Sequence, residues 1–155
     1  MPHEIRHLTA EDLPLLDSIL DLFAEAFDAP EAYSAARPSP AWARRLLGGE
    51  AFIALAAVEQ GAVTGALAAY MLDKFEQERR EIYIYDLAVA APHRRRGIAT
   101  ALIAELQQIA AERGAWVIYV QADYGDAPAV ALYTKLGVRE DVMHFDIAVP
   151  GRADG

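Results

Sequence analysis

The chain has 155 residues, a length typical of one domain that buries its own core without disulfides or metals. It contains no cysteine, which excludes a disulfide framework, thiolate zinc sites and covalent catalysis by a cysteine, and no metal site is predicted. Its formal net charge of −9 disfavours a nucleic-acid binder, because phosphate neutralisation requires excess lysine and arginine. The same charge suits a cationic ligand, or serves solubility alone.

The predicted elements mix helices and strands. Thr9 precedes Ala-Glu-Asp in a capping-box-like helix start, Ser39-Pro40 provides an N-cap and a first helical position, and Gln60-Gly61 joins two apolar runs as a hairpin. In chain order the sequence predicts a strand at 4–8, a helix at 12–27, a loop at 29–40, a short helix ending near 48–49, strands at 51–59, 62–72 and 82–89, a helix at 97–113, a strand at 116–121, a helix at 127–136 and a final strand at 142–149. This order predicts an α/β (α+β) fold: one domain over residues 1–155, with a mixed sheet, about four flanking helices and a polar tail from about 150.

The sequence also bears on location. Its longest apolar runs, such as residues 51–58, are far shorter than a membrane span requires, so no membrane partner is predicted. The N-terminus carries His3, Glu4 and Arg6 in place of the apolar run of a secretory signal. We therefore expect a cytoplasmic protein.

The strongest local signal runs from a strand that ends at Val89 into a helix that opens at Gly97. The first amides of a helix lack internal partners and its dipole favours an anion there. Gly97 allows the backbone to approach a ligand closely, and Arg94 to Arg96 supply positive charge that would oppose the dipole if no anion bound. The P-loop and dinucleotide patterns are absent. The segment therefore predicts a diphosphate site.

Two motifs in this order carry a family resemblance. Arg94-x-x-Gly97-x-Ala99 after Leu87-Ala88-Val89 resembles the acetyl-coenzyme A motif of the GNAT N-acetyltransferase superfamily, and Ala129-Val-Ala-Leu-Tyr133-Thr-Lys-Leu-Gly-Val is similar to its second signature. The resemblance implies the GNAT fold: a single mixed sheet, splayed at its centre between the fourth and fifth strands, where the cofactor's pantetheine arm binds. The cofactor contacts that it implies, on acetyl-CoA with coenzyme A as product, are Leu87, Ala88, Val89, Arg94, Arg95, Arg96, Gly97, Ile98, Ala99, Thr100, Asp126, Ala129 and Tyr133.

Longer stretches narrow the resemblance. Residues 52–57, 65–70, 74–77, 81–89, 117–126 and 142–146 are similar to the aminoglycoside 3-N-acetyltransferases of type I. That similarity implies acetylation of the 3-amino group of the 2-deoxystreptamine ring in gentamicin-type antibiotics, antibiotic resistance as the outcome, and a homodimer. A cationic aminoglycoside is then the expected partner.

Acetyl transfer to an amine needs a base, an oxyanion donor and an acid. Without cysteine, direct attack in a ternary complex is the economical route, and holding both reactants together provides much of the rate. Glu81 is the first candidate base and Asp123 the second, each with ammonium binding as an alternative role. By resemblance, an amide near Val89 is the oxyanion donor and Tyr133 the acid, although Tyr133 could instead only pack within its helix.

Several acids and aromatic residues are candidates for the acceptor site, since polycationic sugars are bound by carboxylates. They are Glu76, Tyr83, Asp123, Tyr124, Asp126, His144 and Asp146. Each acid alone could be a solvated surface group, and Asp126 could only cap its helix. Two other functions stay open: acetylation of a polyamine, another small amine or a protein N-terminus, and a non-catalytic module that senses acyl-CoA.

Overall fold

The computed structural model describes residues 3–152. The chain divides after Gln121 into two compact units. Over residues 3–152, no helix combines the length and apolarity that crossing a bilayer requires. The expectation of one domain over residues 1–155 stays a prediction.

The first unit holds five strands and four α-helices. In chain order these are β1 (Glu4–His7), α1 (Leu13–Ala26), α2 (Pro30–Tyr33), α3 (Pro40–Gly48), β2 (Phe52–Glu59), β3 (Ala62–Asp73), β4 (Arg80–Val89), a 3₁₀ turn (Ala91–His93), α4 (Ile98–Glu112) and β5 (Ala115–Val120). The second unit contains α5 (Ala127–Leu136).

The strands form one mixed sheet in the order β1-β2-β3-β4-β5. Neighbours are antiparallel except β4 and β5, which are parallel, so the predicted α/β fold with a mixed sheet is confirmed. The β4–β5 register ends at Ile84↔Val120, whereas β4 continues to Val89 in pairing with β3. The two strands therefore separate after Ile84, as the resemblance implied.

A bulge interrupts β4 next to this separation. Ala68 pairs with Asp86 and Ala69 pairs with Ile84, which leaves Tyr85 as the extra residue on β4. A bulge of this kind breaks the strict alternation of side chains. Tyr85 and Tyr83 have their rings 5.7 Å apart, so they lie on one face of the sheet.

The two faces of the sheet carry separate apolar layers. One core cluster joins the buried side of α1 and α3 to alternate sheet residues, among them Phe23 of α1 and Ala54, Ala68 and Ala88 of the sheet. Because side chains alternate along a strand, the buried residues between these face the other way. On that second face a Cβ at Gly65 would meet Cγ2 of Ile98 in α4 at 2.7 Å.

Gly65→Ala is therefore expected to lower the free energy of unfolding by roughly 1–3 kcal/mol, the usual cost of overpacking a filled core. Ile98 is 2 % exposed and a β carbon would also lie 3.3 Å from the Ala88 carbonyl oxygen, so neither neighbour moves easily. Urea unfolding of the variant measures the change. Gly125→Ala is the control, because a β carbon there has no heavy atom within 4 Å.

Local sequence rules succeed at most helix and turn boundaries of the first unit. The Ser39 hydroxyl accepts a hydrogen bond from the Trp42 amide at 3.2 Å, as an N-cap should. Gln60 and Gly61 have φ of 51° and 80°, the left-handed pair that a tight hairpin needs. The start of α1 was placed one residue early: Asp12 binds back to the Thr9 amide at 2.7 Å, and the helix begins at Leu13.

Two predictions of secondary structure are wrong. The loop expected at residues 29–40 contains the one-turn helix α2, which begins at Pro30 because proline suits a first helical position. The strand expected at residues 142–149 is not formed: the segment has no strand structure within the second unit. Its apolar alternation is typical of a strand, but a strand also needs a ladder of hydrogen bonds to a neighbour, which local sequence does not supply.

The second unit is organised around the start of α5. The Asp126 carboxylate accepts a hydrogen bond from the Ala129 amide at 3.3 Å, so its predicted capping role is confirmed. Tyr124 donates to Asp141 at 3.1 Å, and the Arg139 Nε lies 3.0 Å from the same carboxylate. These contacts tie the turn before α5 to the segment that follows it.

Candidate active site

The loop between β4 and α4 has the backbone of an anion site. Gly97, the N-cap residue of α4, has φ of 78°, and no side chain caps the helix. Arg95 also has a positive φ, 64°, which is uncommon for a residue other than glycine. The first amides of α4 thus keep their hydrogen-bonding capacity for a ligand, and the helix dipole favours an anionic one.

The three arginines of this loop do different things. Arg94 Nε donates to the Val89 carbonyl oxygen at 3.2 Å, and Arg96 pairs with Glu59 at 2.7 Å, so two guanidinium groups fasten the loop to β4 and to the end of β2. The exposed Arg95 side chain makes no hydrogen bond or ion pair within residues 3–152. Its charge is therefore the one most available to a phosphate.

Gly97→Ala is expected to weaken acetyl-CoA binding about 10-fold. A β carbon at Gly97 meets no atom within 4 Å, so the effect is conformational: left-handed backbone costs other residues about 1–2 kcal/mol. Calorimetric titration with acetyl-CoA measures the change. Gly137→Ala is the matched control, because Gly137 has φ of −145° and a side chain there is unstrained. Equal acetyl-CoA affinity in Gly97→Ala and wild type would show that the left-handed backbone at Gly97 does not contribute to acetyl-CoA binding.

The last residues of β4 lead from the separated strands to this loop. Leu87, Ala88 and Val89 pair with Leu67, Ala66 and Gly65 of β3, and β5 offers them no partner. A peptide-like arm could hydrogen-bond along such an edge as a further strand does. The structure therefore brings together, on one continuous stretch, the predicted contacts from residue 87 to residue 100.

A carboxylate that was not predicted lies at the start of the separation. Asp86 is half-buried on β4, two residues beyond the last β4–β5 pair, and its Oδ1 accepts a hydrogen bond from the Tyr33 hydroxyl at 2.9 Å. Burial raises the pKa of the Asp86 carboxyl, and the Tyr33 hydrogen bond partly opposes that rise. Burial, with Asp86 beside it, raises the pKa of Tyr33, so the phenol stays protonated.

Three further tyrosines surround this carboxylate. Tyr70 meets Tyr85 edge-on at 5.9 Å, and Tyr83 meets Tyr85 at 5.7 Å. Tyr83 also stacks on Tyr119 at 5.0 Å, while its hydroxyl donates to Gln121 at 2.8 Å. Tyr85 is 63 % exposed. The predicted substrate residue Tyr83 therefore belongs to an aromatic surface on the Asp86 side of the sheet.

Two predicted acids of the first unit lie elsewhere. Glu81 is paired with Arg79 at 2.9 Å, at the closed end of the β4–β5 ladder. Glu76 pairs with the same Arg79 at 3.0 Å and with Lys74 at 3.9 Å. Glu81 and Asp86 pair with Leu72 and Ala68, four residues apart on β3, so at about 3.3 Å per residue they are about 13 Å apart along the sheet. Their roles in catalysis and binding stay predictions.

The other predicted site residues belong to the second unit. His144 Nε2 lies 2.9 Å from the Asp146 carboxylate, and the Asp123 carbonyl oxygen accepts the Asp126 amide at 3.0 Å. Burial, and then the nearby Asp126, raise the pKa of Tyr133. The phenol therefore holds its proton at neutral pH, as an acid must. Their roles, like those of Tyr124 and Ala129, stay predictions.

Sequence reasoning missed Asp86, Tyr33 and Tyr70. The signal for Asp86 was present: one acid stands inside an apolar strand, where an unpaired charge is costly and is kept mainly for a purpose. Tyr33 could not be found in the same way, because its residue range was expected to be a loop. Only the packing of α2 brings its hydroxyl to Asp86.

Comparison with solved structures finds close relatives. An aminoglycoside acetyltransferase from an uncultured soil metagenomic sample is 57% identical, with a TM-score of 0.94 over 96% of this chain and 99% of that chain. A second aminoglycoside acetyltransferase from an uncultured soil metagenomic sample, in complex with sisomicin, is 29% identical, with a TM-score of 0.87 over 96% and 97%.

Sequence comparisons agree at the level of the family. N-acetyltransferase 8B of Rattus norvegicus is 28% identical over 83 residues, 54% of this chain, and the match spans only 37% of that protein. The model of the Acetyltransferase (GNAT) family matches residues 16–138. The expected GNAT fold, acetyltransferase class and acetyl-CoA cofactor are thereby confirmed. The chain belongs to the GNAT acetyltransferase family.

Proposed function

We propose that the protein is an aminoglycoside 3-N-acetyltransferase, which moves acetyl from acetyl-CoA to the 3-amino group of the 2-deoxystreptamine ring. The observation that supports it most is 57% identity to an aminoglycoside acetyltransferase along nearly the whole of both chains. The net charge of −9 favours a polycationic acceptor. Antibiotic resistance, a cytoplasmic location and a homodimer are parts of the same proposal.

The residues of the first unit fit acetyl-CoA. Its diphosphate suits the uncapped start of α4 and Arg95, and its pantetheine arm suits the β4 edge at residues 87–89. When bound, acetyl-CoA supplies a thioester whose carbonyl carbon an amine can attack. An amide near Val89 would then stabilise the oxyanion, and Tyr133 would give its proton to the departing sulfur.

The substrate is tested by thiol release from acetyl-CoA with selectively blocked acceptors. We expect release with sisomicin and gentamicin, and equally with gentamicin that is already acetylated on an amine other than the 3-amine. Gentamicin acetylated beforehand at the 3-amine should give none. Release with the 3-blocked compound would contradict the 3-N assignment.

Two further acceptors separate the alternatives. Release with spermidine or an N-terminal peptide, and with no aminoglycoside, would replace the proposal by polyamine or protein acetylation. Saturable acetyl-CoA binding without release for any amine would favour a sensor module instead. Each result excludes the proposed function by a different route.

A further inference from the structure

The Asp86 side of the sheet holds a carboxylate without a counter-ion. Within residues 3–152, Asp86 forms no ion pair, and its one side-chain hydrogen bond comes from the Tyr33 hydroxyl at 2.9 Å. In the first unit, by contrast, most of the acids that form ion pairs are exposed and lie next to an arginine. The loss of hydration destabilises a half-buried carboxylate unless a cation pairs with it. The site therefore favours a positively charged ligand.

Tyrosines from three elements face this carboxylate. Tyr33 from α2, Tyr70 from β3 and Tyr83 from β4 each have a pKa raised in part by the Asp86 charge, and Tyr85 adjoins them. Burial and the Tyr33 hydrogen bond are the causes of the Asp86 pKa shift, and neither involves a cation. Neutral phenol rings attract a cation through their faces and pack against sugar rings. A surface of tyrosines around a carboxylate therefore suits an ammonium group carried on a sugar.

The position of Asp86 along β4 places this carboxylate and the tyrosines around it beside the reacting atoms of the proposed reaction. Asp86 immediately precedes Leu87, the first of the β4 residues expected to bind the pantetheine arm, and follows the last β4–β5 pair by two residues. The arginine loop begins at Arg94, so the diphosphate lies farther along. The acyl end of the cofactor would then lie near Asp86. It would not lie near Glu81, whose carboxylate is already paired with Arg79.

We propose that Asp86 is the carboxylate that binds the acceptor's ammonium group and removes its proton, and that Tyr33 is a positioning residue that holds Asp86. The inference rests on the proposed function and names the acceptor site. One ammonium proton passes to the Asp86 carboxylate, the freed nitrogen lone pair forms the C–N bond, and the C–S bond breaks. The second nitrogen proton leaves to water as the amide forms, and the thiolate takes a proton from Tyr133. Water then restores the Tyr133 phenol and receives the proton that Asp86 took up.

The direction of the Asp86 pKa agrees with this role. Burial raises the pKa of Asp86, which makes its carboxylate a stronger base than an exposed one. It must be ionised to work, so kcat/KM should rise with pH through that raised pKa. The Tyr33 hydrogen bond stabilises the ionised form, and Tyr33→Phe should move this acidic limb to higher pH. A purely structural tyrosine would lower activity without moving the limb.

The variants Asp86→Asn, Glu81→Gln and Asp73→Asn decide between carboxylates. Asp86→Asn should lower kcat/KM for the amine roughly 10²-fold or more, with acetyl-CoA affinity within 2-fold of wild type. Asp73 is exposed and paired with Arg80 at 2.9 Å, so its variant is the matched control and should act as wild type. Wild-type turnover in Asp86→Asn, or a larger loss in Glu81→Gln, would overturn the inference.

The effect of Asp86→Asn on folding stability can be separated from its effect on activity. A carboxyl whose pKa is raised by folding stabilises the fold below its unfolded pKa, and that contribution is lost as pH rises through its folded pKa. At neutral pH Asp86→Asn should therefore unfold at an equal or higher temperature than wild type. A variant that unfolds earlier at neutral pH would show that Asp86 is structural, and would also overturn the inference.

The two proposals fail separately. If wild type transfers acetyl to no amine, the proposed function fails, and calorimetric titration with neamine or spermidine still tests Asp86. We expect amine affinity to fall at least 10-fold in Asp86→Asn and to be unchanged in Asp73→Asn. Equal amine affinity in Asp86→Asn and wild type would contradict the acceptor site whatever the reaction proves to be.

Discussion

Replacing Tyr133 by phenylalanine should lower turnover about 10²-fold, the scale of losing a general acid. Burial and the nearby Asp126 raise the pKa of Tyr133, so its phenol is fully protonated at neutral pH and ready to donate. A departing thiolate would benefit from that proton, while binding of the intact thioester would not. Steady-state thiol release should therefore show a lower kcat and a KM for acetyl-CoA within 2-fold of wild type.

A purely structural role for Tyr133 predicts the opposite result. If its ring only stabilises α5, phenylalanine keeps that ring, and kcat should change by less than 2-fold. A loss of kcat that follows a loss of folded protein, seen in thermal unfolding at the assay pH, would also remove Tyr133 from the acid role. Retained folding with lost turnover is the result that the role requires.

Phe23→Ala should cost about 3–5 kcal/mol of unfolding free energy, the range for emptying a large aromatic site in a core. Phe23 is 1 % exposed, and its ring lies 5.5 Å from Phe27 and 5.8 Å from Tyr33. Because Tyr33 donates a hydrogen bond to Asp86, the cavity should also loosen the proposed acceptor site. Urea unfolding gives the free energy, and thiol release below the unfolding range gives the activity.

Phe27 provides the matched control on the same helix. Its ring contacts the same two aromatic residues, but it is 40 % exposed. Phe27→Ala should therefore cost less than half as much as Phe23→Ala, because less apolar area is removed from the core. Equal costs for the two variants would contradict the assignment of Phe23 to the core beneath α2.

The conformation of the loop between β4 and α4 could be predicted because its determinants are local. Gly97 takes the left-handed backbone that its position after a strand and before a helix requires, and Arg94 to Arg96 are adjacent in sequence. The same is true of the Gln60-Gly61 turn and of the Asp126 cap. Each depends on a few neighbouring residues whose backbone preferences are known.

The proposed acceptor site could not be predicted, because its determinants are tertiary. The bulge at Tyr85 follows from the register between β3 and β4, and the hydrogen bond to Asp86 comes from Tyr33 of α2, a segment that local sequence predicted to be a loop. The segment at residues 142–149 makes the same point in reverse. Its alternating apolar residues predicted a strand, yet pairing is decided by a neighbour that a local pattern does not contain.

We propose above all that this chain acetylates the 3-amine of an aminoglycoside. Its most direct test is two-dimensional NMR of the product formed from gentamicin and ¹³C-acetyl-CoA by the wild-type protein. We expect one labelled acetyl group, with its amide coupled to the carbon that bears the 3-amine of the deoxystreptamine ring. A label on any other amine, or an unlabelled antibiotic after complete incubation, would contradict it.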